Sequence, residues 1–290
     1  VKPAAFAYHR ARSAEEATAL LEQHGDEAKI LAGGQSLIPA MNFRLAHPRR
    51  LIDINPAADL AFIREAPDGL RIGAMTRQRD LERSRAVKAL SPLVHEAMPF
   101  VAHPQIRNRG TAGGSLAHAD PAAELPAVMV AAAARFRVGS PKQSRWVDAS
   151  EFFTGLFSTA LRPTELLLEI HVPRPPDRSG HAFMEVSRRH GDYALVGVAA
   201  TVWLDARGRC AGARIALLSV GDGPVSANGA AGLLVGQIPS EDVIREAADR
   251  AANGDVDPPG DIHASGDYRR HLVRVLVRRA VGRAFAQANA

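Results

Sequence analysis

The apolar positions change period along the chain, and those changes mark its elements. Behind Ser13 and Glu16, a capping-box pair, Ala17, Leu20 and Leu21 recur at helical spacing until Gly25. Around that helix, residues 4–8, Lys29-Ile30-Leu31 and Leu51-Ile52-Asp53-Ile54 read as short strands, which makes a β-α-β start. Between residues 60 and 74 two alternating runs flank Pro67-Asp68-Gly69, and the Asp-Gly step suits the tight turn of a hairpin. Helices are predicted over residues 77–86 and 93–101. A more apolar one follows over 122–133, with Pro121 at its first position and Asp120 as its cap. Strands are predicted over 135–138, 166–172, 181–188, 194–204 and 213–220, with a turn at Asp205-Ala206-Arg207-Gly208. Helices over 229–234, 240–252 and 267–285 complete the pattern.

With 290 residues the chain exceeds the usual size of one domain. The proline-rich stretch Val172-Pro173-Arg174-Pro175-Pro176 interrupts any regular element and is the natural boundary. The expected organisation is therefore a first domain over 1–176, in two subdomains of about 1–55 and 56–176, and a second over 177–290. Long strands followed by helices give the second domain, and the chain as a whole, an α+β character.

Composition narrows the chemistry. Hydrophobic residues at 46% and charged residues at 23% describe an ordinary globular chain. The net charge of +5 arises from 36 basic residues scattered among 31 acidic ones, with only 5% aromatics, so no nucleic-acid face is read from it. The densest basic stretch, Arg269, Arg270, Arg274, Arg278, Arg279 and Arg283, reads as a solvated helix face, with a site for an anionic partner as the alternative. Cys210 is the only cysteine, which excludes an intrachain disulfide and a cysteine-ligated cluster or zinc site in this polypeptide. The 11 histidines show no metal-binding spacing, so no metal site is expected. His103 and His118 flank a glycine loop but read as cap or packing residues. With no apolar run of membrane-spanning length and no signal-peptide pattern, a cytoplasmic protein without a membrane span is expected.

The distinctive chemistry lies in two loops, Ala32-Gly33-Gly34-Gln35-Ser36 and Asn108-Arg109-Gly110-Thr111-Ala112-Gly113-Gly114-Ser115. Paired glycines let main-chain N–H groups approach an anion, and the adjacent hydroxyls add donors. One such loop is equally a tight structural turn, whereas two facing loops suit the diphosphate of a dinucleotide cofactor. Neither fits G-x-G-x-x-G, and no Walker lysine follows, so Rossmann and P-loop readings lose support.

Three stretches, Leu31–Leu45, Arg107–Val128 and Gly191–Ala199, carry a family resemblance: LAGGQSLIPAMNFRL, RNRGTAGGSLAHADPAAELPAV and GDYALVGVA. The chain resembles, over its whole length, the FAD-binding medium subunit of the molybdenum hydroxylases. That family includes the medium subunit of aerobic carbon monoxide dehydrogenase and the flavin segment of xanthine dehydrogenase. The resemblance implies an α+β fold with a two-subdomain FAD-binding domain of the vanillyl-alcohol-oxidase (PCMH) type, then a domain of antiparallel sheet and helices. It assigns Ala32, Gly33, Gly34, Gln35, Ser36 and Leu37 to a first diphosphate loop, and Thr111, Ala112, Gly113, Gly114 and Ser115 to a second. Glu124 stands where relatives commonly have Asp and is assigned a ribose hydroxyl; its alternative is a carboxylate favoured at a helix N-terminus. Tyr193 is placed near the isoalloxazine ring, with core packing as the alternative, and the backbone of Leu161 is placed against the cofactor, with a core leucine as the alternative.

One departure concerns Phe183-Met184-Glu185: some relatives carry a lysine at the third position, a cation near the flavin, and this chain has a carboxylate. Arg188 and Arg189 are candidates to compensate. The start of the chain, Val1-Lys2-Pro3 through Arg10, follows the family's Met-x-Pro opening with Val1 in place of Met, as an alternative start codon would give.

The resemblance further implies a molybdenum–pterin centre on a large partner subunit and two [2Fe-2S] clusters on a small one, in a dimer of heterotrimers. The chain is then an electron outlet, passing electrons from FAD to an external acceptor such as a quinone, NAD or dioxygen, with no catalytic side chain of its own. The rivals are a stand-alone FAD-dependent oxidase or reductase of the same fold and a non-enzymatic nucleotide-binding module. The substrate of the complex is not readable from this chain.

Overall fold

The computed structural model describes residues 1–140 and 142–290, and the α+β class expected from the sequence is the class observed. Strands Ala7–Arg10 (β1), Ala28–Leu31 (β2) and Arg50–Asp53 (β3) form a parallel sheet in the order β1-β3-β2. Helix Ala14–His24 makes the crossover from β1. Ser13 Oγ accepts the Glu16 N–H at 3.1 Å, and Glu16 reaches back to the N–H of Arg12 at 2.7 Å. Ala17, Leu21, Ile52 and Ile54 close a small core beneath this sheet.

Strands Ile63–Ala66 (β4) and Gly69–Gly73 (β5) form the expected hairpin. They join Arg135–Gly139 (β6), Ser144–Asp148 (β7) and, after the short hairpin Phe153–Gly155 (β8) and Ser158–Thr159 (β9), Leu166–Pro173 (β10). The five-stranded order is β4-β5-β10-β6-β7. Helix Glu124–Ala131, buried on nearly every side, packs into the main core with Leu70, Ile72, Phe136 and Ile170. The last sheet, Ser179–Ser187 (β11), Ala194–Leu204 (β12), Cys210–Leu218 (β13) and Val225–Ser226 (β14), is antiparallel throughout.

That sheet is buried on both faces. Val198 and Ala200 on β12, with Ile215 and Leu217 on β13, share one core with helix Gly266–Ala288, whereas Phe183, Ala199, Ala216 and Leu218 join the main core on the other side. This explains why β12 reads as a nearly continuous apolar run rather than an alternating one.

Several boundaries differ from the sequence reading. The first strand begins at Ala7 rather than residue 4. The helix predicted over 77–86 is two, Gln78–Arg83 and Arg85–Leu90, because Ser84 leaves the helix and caps the second with its side chain. The 93–101 helix is Pro92–Ala97 followed by a 3-10 turn. Asp120 does not cap a helix at Pro121; it closes a turn by accepting the Ala122 N–H, and the helix starts at Glu124. Strands β7, β8, β9 and β14 are too short or too polar to have been anticipated.

Arg269 corrects the reading of the basic helix as one solvated face. It is 5% exposed, donates to the carbonyls of Leu195 and Ser219, and pairs with Asp261 at 2.6 Å. Positions 269, 272, 273, 276 and 277 form one i, i+3, i+4, i+7, i+8 stripe, so the spacing itself placed Arg269 on the buried side. Asp261, held to about 2 mainly by the N–H groups of Ala264 and His263, stays ionised opposite it.

Candidate cofactor site

Both glycine loops open on one cavity of about 860 Å³, within the range of about 300–1,000 Å³ usual for ligand sites. The predicted site residues line it, with the exception of Ala112, which is fully buried behind the second loop.

The first loop leaves β2 at Leu31 and enters the short helix Leu37–Asn42. Gly34 takes a φ of +74°, a left-handed conformation that a side chain disfavours. Among the described residues, the main-chain N–H groups of Gly33, Gly34, Gln35, Ser36 and Leu37 have no protein acceptor. Consecutive free amides of this kind form a nest for an anion.

The second loop is built differently. Residues 74–76 run alongside it and take up its amides: Ala112 N–H donates to Thr76 at 2.9 Å and Gly113 N–H to Ala74 at 2.8 Å. Thr111 caps helix Ala112–His118, accepting the Gly114 N–H at 3.0 Å on its hydroxyl, while its carbonyl accepts the Ser115 N–H at 3.2 Å. What this loop turns toward a ligand is therefore hydroxyl chemistry, from Ser115 and Thr111, and the Thr111 N–H. The loops touch backbone to backbone. A Cβ on Gly33 would press on the Arg109 carbonyl and lie 2.8 Å from Gly110 Cα, and one on Gly113 would lie 2.8 Å from the Ala74 carbonyl oxygen.

Glu124, the first residue of its helix, is 7% exposed and lines the cavity. Burial, reinforced by Asp120, pushes its carboxyl up to about 7. Glu185 on β11 faces the same region: burial, then the nearby Glu124, pushes it up to about 8, and its Oε2 is buried without a hydrogen-bond partner. Among the described residues neither carboxyl has a cation partner, and Arg188 and Arg189, the candidates to compensate, are exposed. Both groups hold protons in the folded chain that the unfolded chain releases above about 4.5, so rising pH favours unfolding between about 4.5 and 8. In the flavin-free chain the pair's own contribution to stability falls from pH 5.5 to pH 8.5, a slope that comparison of wild type with a Glu185 variant isolates. Glu185→Gln should remove much of that slope, at about 1.4 kcal/mol per pKa unit as an upper bound; an unchanged slope in a scanning-calorimetry series would contradict the buried pair.

Tyr193 is 68% exposed at the cavity's edge, which sets aside core packing as its role. Leu161 packs against the main core and also reaches the cavity. His103 lies against Gly191, where any Cβ would collide with its ring, and His118 packs on Phe157 at 5.1 Å between ring centroids. Phe157, at the tip of the β8–β9 hairpin, lines the cavity without having been anticipated, as does Gln78.

A family profile described as the FAD binding domain in molybdopterin dehydrogenase matches residues 4–175, and one described as the CO dehydrogenase flavoprotein C-terminal domain matches residues 181–284. The chain belongs to the FAD-binding medium subunits of the molybdenum hydroxylases. It is 43% identical to the 6-hydroxypseudooxynicotine dehydrogenase complex subunit alpha of Paenarthrobacter nicotinovorans, over all of this chain and 97% of that one. Against the carbon monoxide dehydrogenase medium chain of Afipia carboxidovorans the identity is 39%, covering 99% of each. A solved carbon monoxide dehydrogenase from Hydrogenophaga pseudoflava, which lacks the Mo-pyranopterin moiety of its cofactor, superposes with a TM-score of 0.95 at 39% identity, covering 99% of both chains.

This medium subunit is thus an FAD-binding oxidoreductase subunit, and its cavity has the chemistry that FAD requires. Free amides and hydroxyls suit a diphosphate without a neutralising metal, and the open edge at Tyr193 suits a flat ring. Among the described residues no helix is long and apolar enough to cross a membrane, and no group of three or more His, Cys, Asp or Glu is placed to hold a metal.

Proposed function

We propose that this medium subunit is the electron outlet of a three-subunit complex. Electrons pass from the [2Fe-2S] clusters of a small partner subunit, fed by a molybdenum–pterin centre on a large one, through FAD to a quinone, NAD or dioxygen. The observation that carries this reading is the full-length family match together with a cavity that offers a diphosphate nest. FAD supplies the exchange between one-electron and two-electron chemistry. The chain's own residues hold and expose it. Amides 33–37 and the hydroxyls of Thr111 and Ser115 grip the diphosphate, Glu124 takes a ribose hydroxyl, Tyr193 lies by the ring, and the backbone of Leu161 touches the cofactor. A dimer of heterotrimers is the assembly proposed, with the domain boundary at residue 176, where the two profile matches part.

Two purifications test this. From its native host the chain should co-purify with two companion polypeptides, molybdenum, and a visible spectrum combining flavin and iron–sulfur bands. Loaded with FAD on its own, it should oxidise no small organic substrate; sustained turnover by the isolated chain would favour a self-sufficient oxidase instead.

A further inference from the structure

Resting on the assignment of the two loops to the FAD diphosphate, we propose that Arg77 and Asn55 are positioning residues. They brace the loops against one another and set affinity for the diphosphate without touching it.

Neither side chain lines the cavity. Asn55 follows β3, where Asp53 accepts its main-chain N–H at 2.9 Å and its side-chain Nδ2 at 2.6 Å. The same Nδ2 donates to the carbonyl of Ala32, the first residue of the amide-bearing loop, at 2.8 Å. The remaining amide oxygen of Asn55 accepts Arg77 Nη2 at 2.7 Å, and Arg77 Nη1 donates to the carbonyl of Arg109 in the second loop. That carbonyl is the one against which Gly33 packs. The connections close a ring: first loop, Asn55, Arg77, second loop, and back through the Gly33 contact.

The ring is anchored at one end. Tyr8 donates its hydroxyl to Asp53 at 2.5 Å. Although burial opposes the charge on Asp53, the bonds from Tyr8 and Asn55 outweigh it and hold the carboxyl below its usual range. Asn55 is left with one orientation, since its two donor contacts are to oxygens and its acceptor contact is to a guanidinium.

Arg77 has no carboxylate within ion-pair distance among the described residues, and burial and the neighbouring Arg109 both disfavour its charge. Its charged fork is committed to two neutral oxygens, one leading to each loop. A planar, two-pronged donor reaches both oxygens at once, whereas the compact ammonium of a lysine would serve one of them. The need for a brace follows from the different construction of the loops. Free amides on one side and hydroxyls on the other meet a single diphosphate only if their separation is fixed.

The test uses the full chain with its flavin removed, titrated with FAD and with riboflavin, which has the ring but no phosphate. Arg77→Met and Asn55→Leu should each weaken FAD binding by about tenfold or more, as loss of a charge-assisted bond does. Riboflavin binding should stay at the wild-type level. The double variant should be little worse than the weaker single one, because both changes cut the same ring, and Arg77→Lys should recover part of the loss. Unchanged FAD affinity in both single variants, or an equal fall for FAD and riboflavin, would overturn the proposal. Gly33→Ala and Ser115→Ala separate the two levels of the argument. If they weaken FAD binding and Arg77→Met and Arg77→Lys do not, the brace alone is wrong; if they have no effect, the loop assignment itself is wrong. Should Arg77→Met not fold, Arg77→Gln, judged by the same FAD-to-riboflavin ratio, replaces it.

Discussion

Gly33→Ala is expected to weaken FAD binding severely while leaving the C-terminal sheet and its long helix folded. The added methyl has no space: it would meet the Arg109 carbonyl and lie 2.8 Å from Gly110 Cα, both backbone atoms that cannot rotate away. Relief requires the loops to separate, which moves the amides of residues 33–37 away from the hydroxyls of Thr111 and Ser115 and strains the contact to Arg109. Overpacking of this kind costs about 1–3 kcal/mol, and if it falls wholly on the bound state the affinity drops by about 10- to 100-fold. Flavin fluorescence on titration reads this directly. Gly232→Ala, at a helical position where a Cβ meets nothing within 4 Å, is the matched control and should bind FAD normally.

Arg107→Met is expected to produce the largest loss of stability among single changes near the site. Arg107 is 4% exposed and pairs with both oxygens of Glu82, at 2.9 and 3.2 Å, while donating to the carbonyls of Val101 and Ala102 at 2.8 and 2.9 Å. It fastens the chain just ahead of the second glycine loop. Removing it strands two carbonyls and leaves Glu82, itself partly buried, with Arg79 as its remaining partner. Breaking such a pair costs on the order of 3 kcal/mol or more, which for a chain of this size lowers the melting temperature by about 5–10 °C. The interaction also has a pH signature. Burial opposes the charge on Glu82, but its bonds to Arg107 and Arg79 hold the carboxyl below its ordinary range, so its stabilisation is present at neutral pH and lost as the pH falls below about 4.5. The stability gap between wild type and Arg107→Met should therefore narrow in acid, leaving the part due to the Val101 and Ala102 carbonyls. A variant as stable as wild type at neutral pH would contradict this role.

How much of this was legible in the sequence depended on whether the determining contact was local. The first glycine loop was readable because Gly33, Gly34 and Ser36 carry their own conformational and donor chemistry. The second loop was located by the same signal, but its construction was not visible. Its amides are taken up by Ala74 and Thr76, more than thirty residues upstream, and no pattern in 108–115 announces that. Asn55 and Arg77 were missed for a similar reason, since each looks like an ordinary polar residue at the end of an element until Ala32 and Arg109 are seen beside them. Glu185 was noticed as an odd carboxylate, yet its pairing with Glu124 depends on how the last sheet packs against helix Glu124–Ala131. Arg269 was the reverse case, because its helical register with Leu272 and Leu276 was in the sequence and the run of arginines around it obscured the signal. The break at Ser84 lies between, since a serine before Arg85 is a good cap but an equally ordinary helix residue.

The most direct measurement is a structure of the FAD-loaded medium subunit within its complex. The diphosphate should lie within hydrogen-bond distance of the main-chain N–H groups of residues 33–37 on one side and of the Ser115 hydroxyl on the other. A diphosphate bound elsewhere, or one contacted by the second loop alone, would contradict that placement.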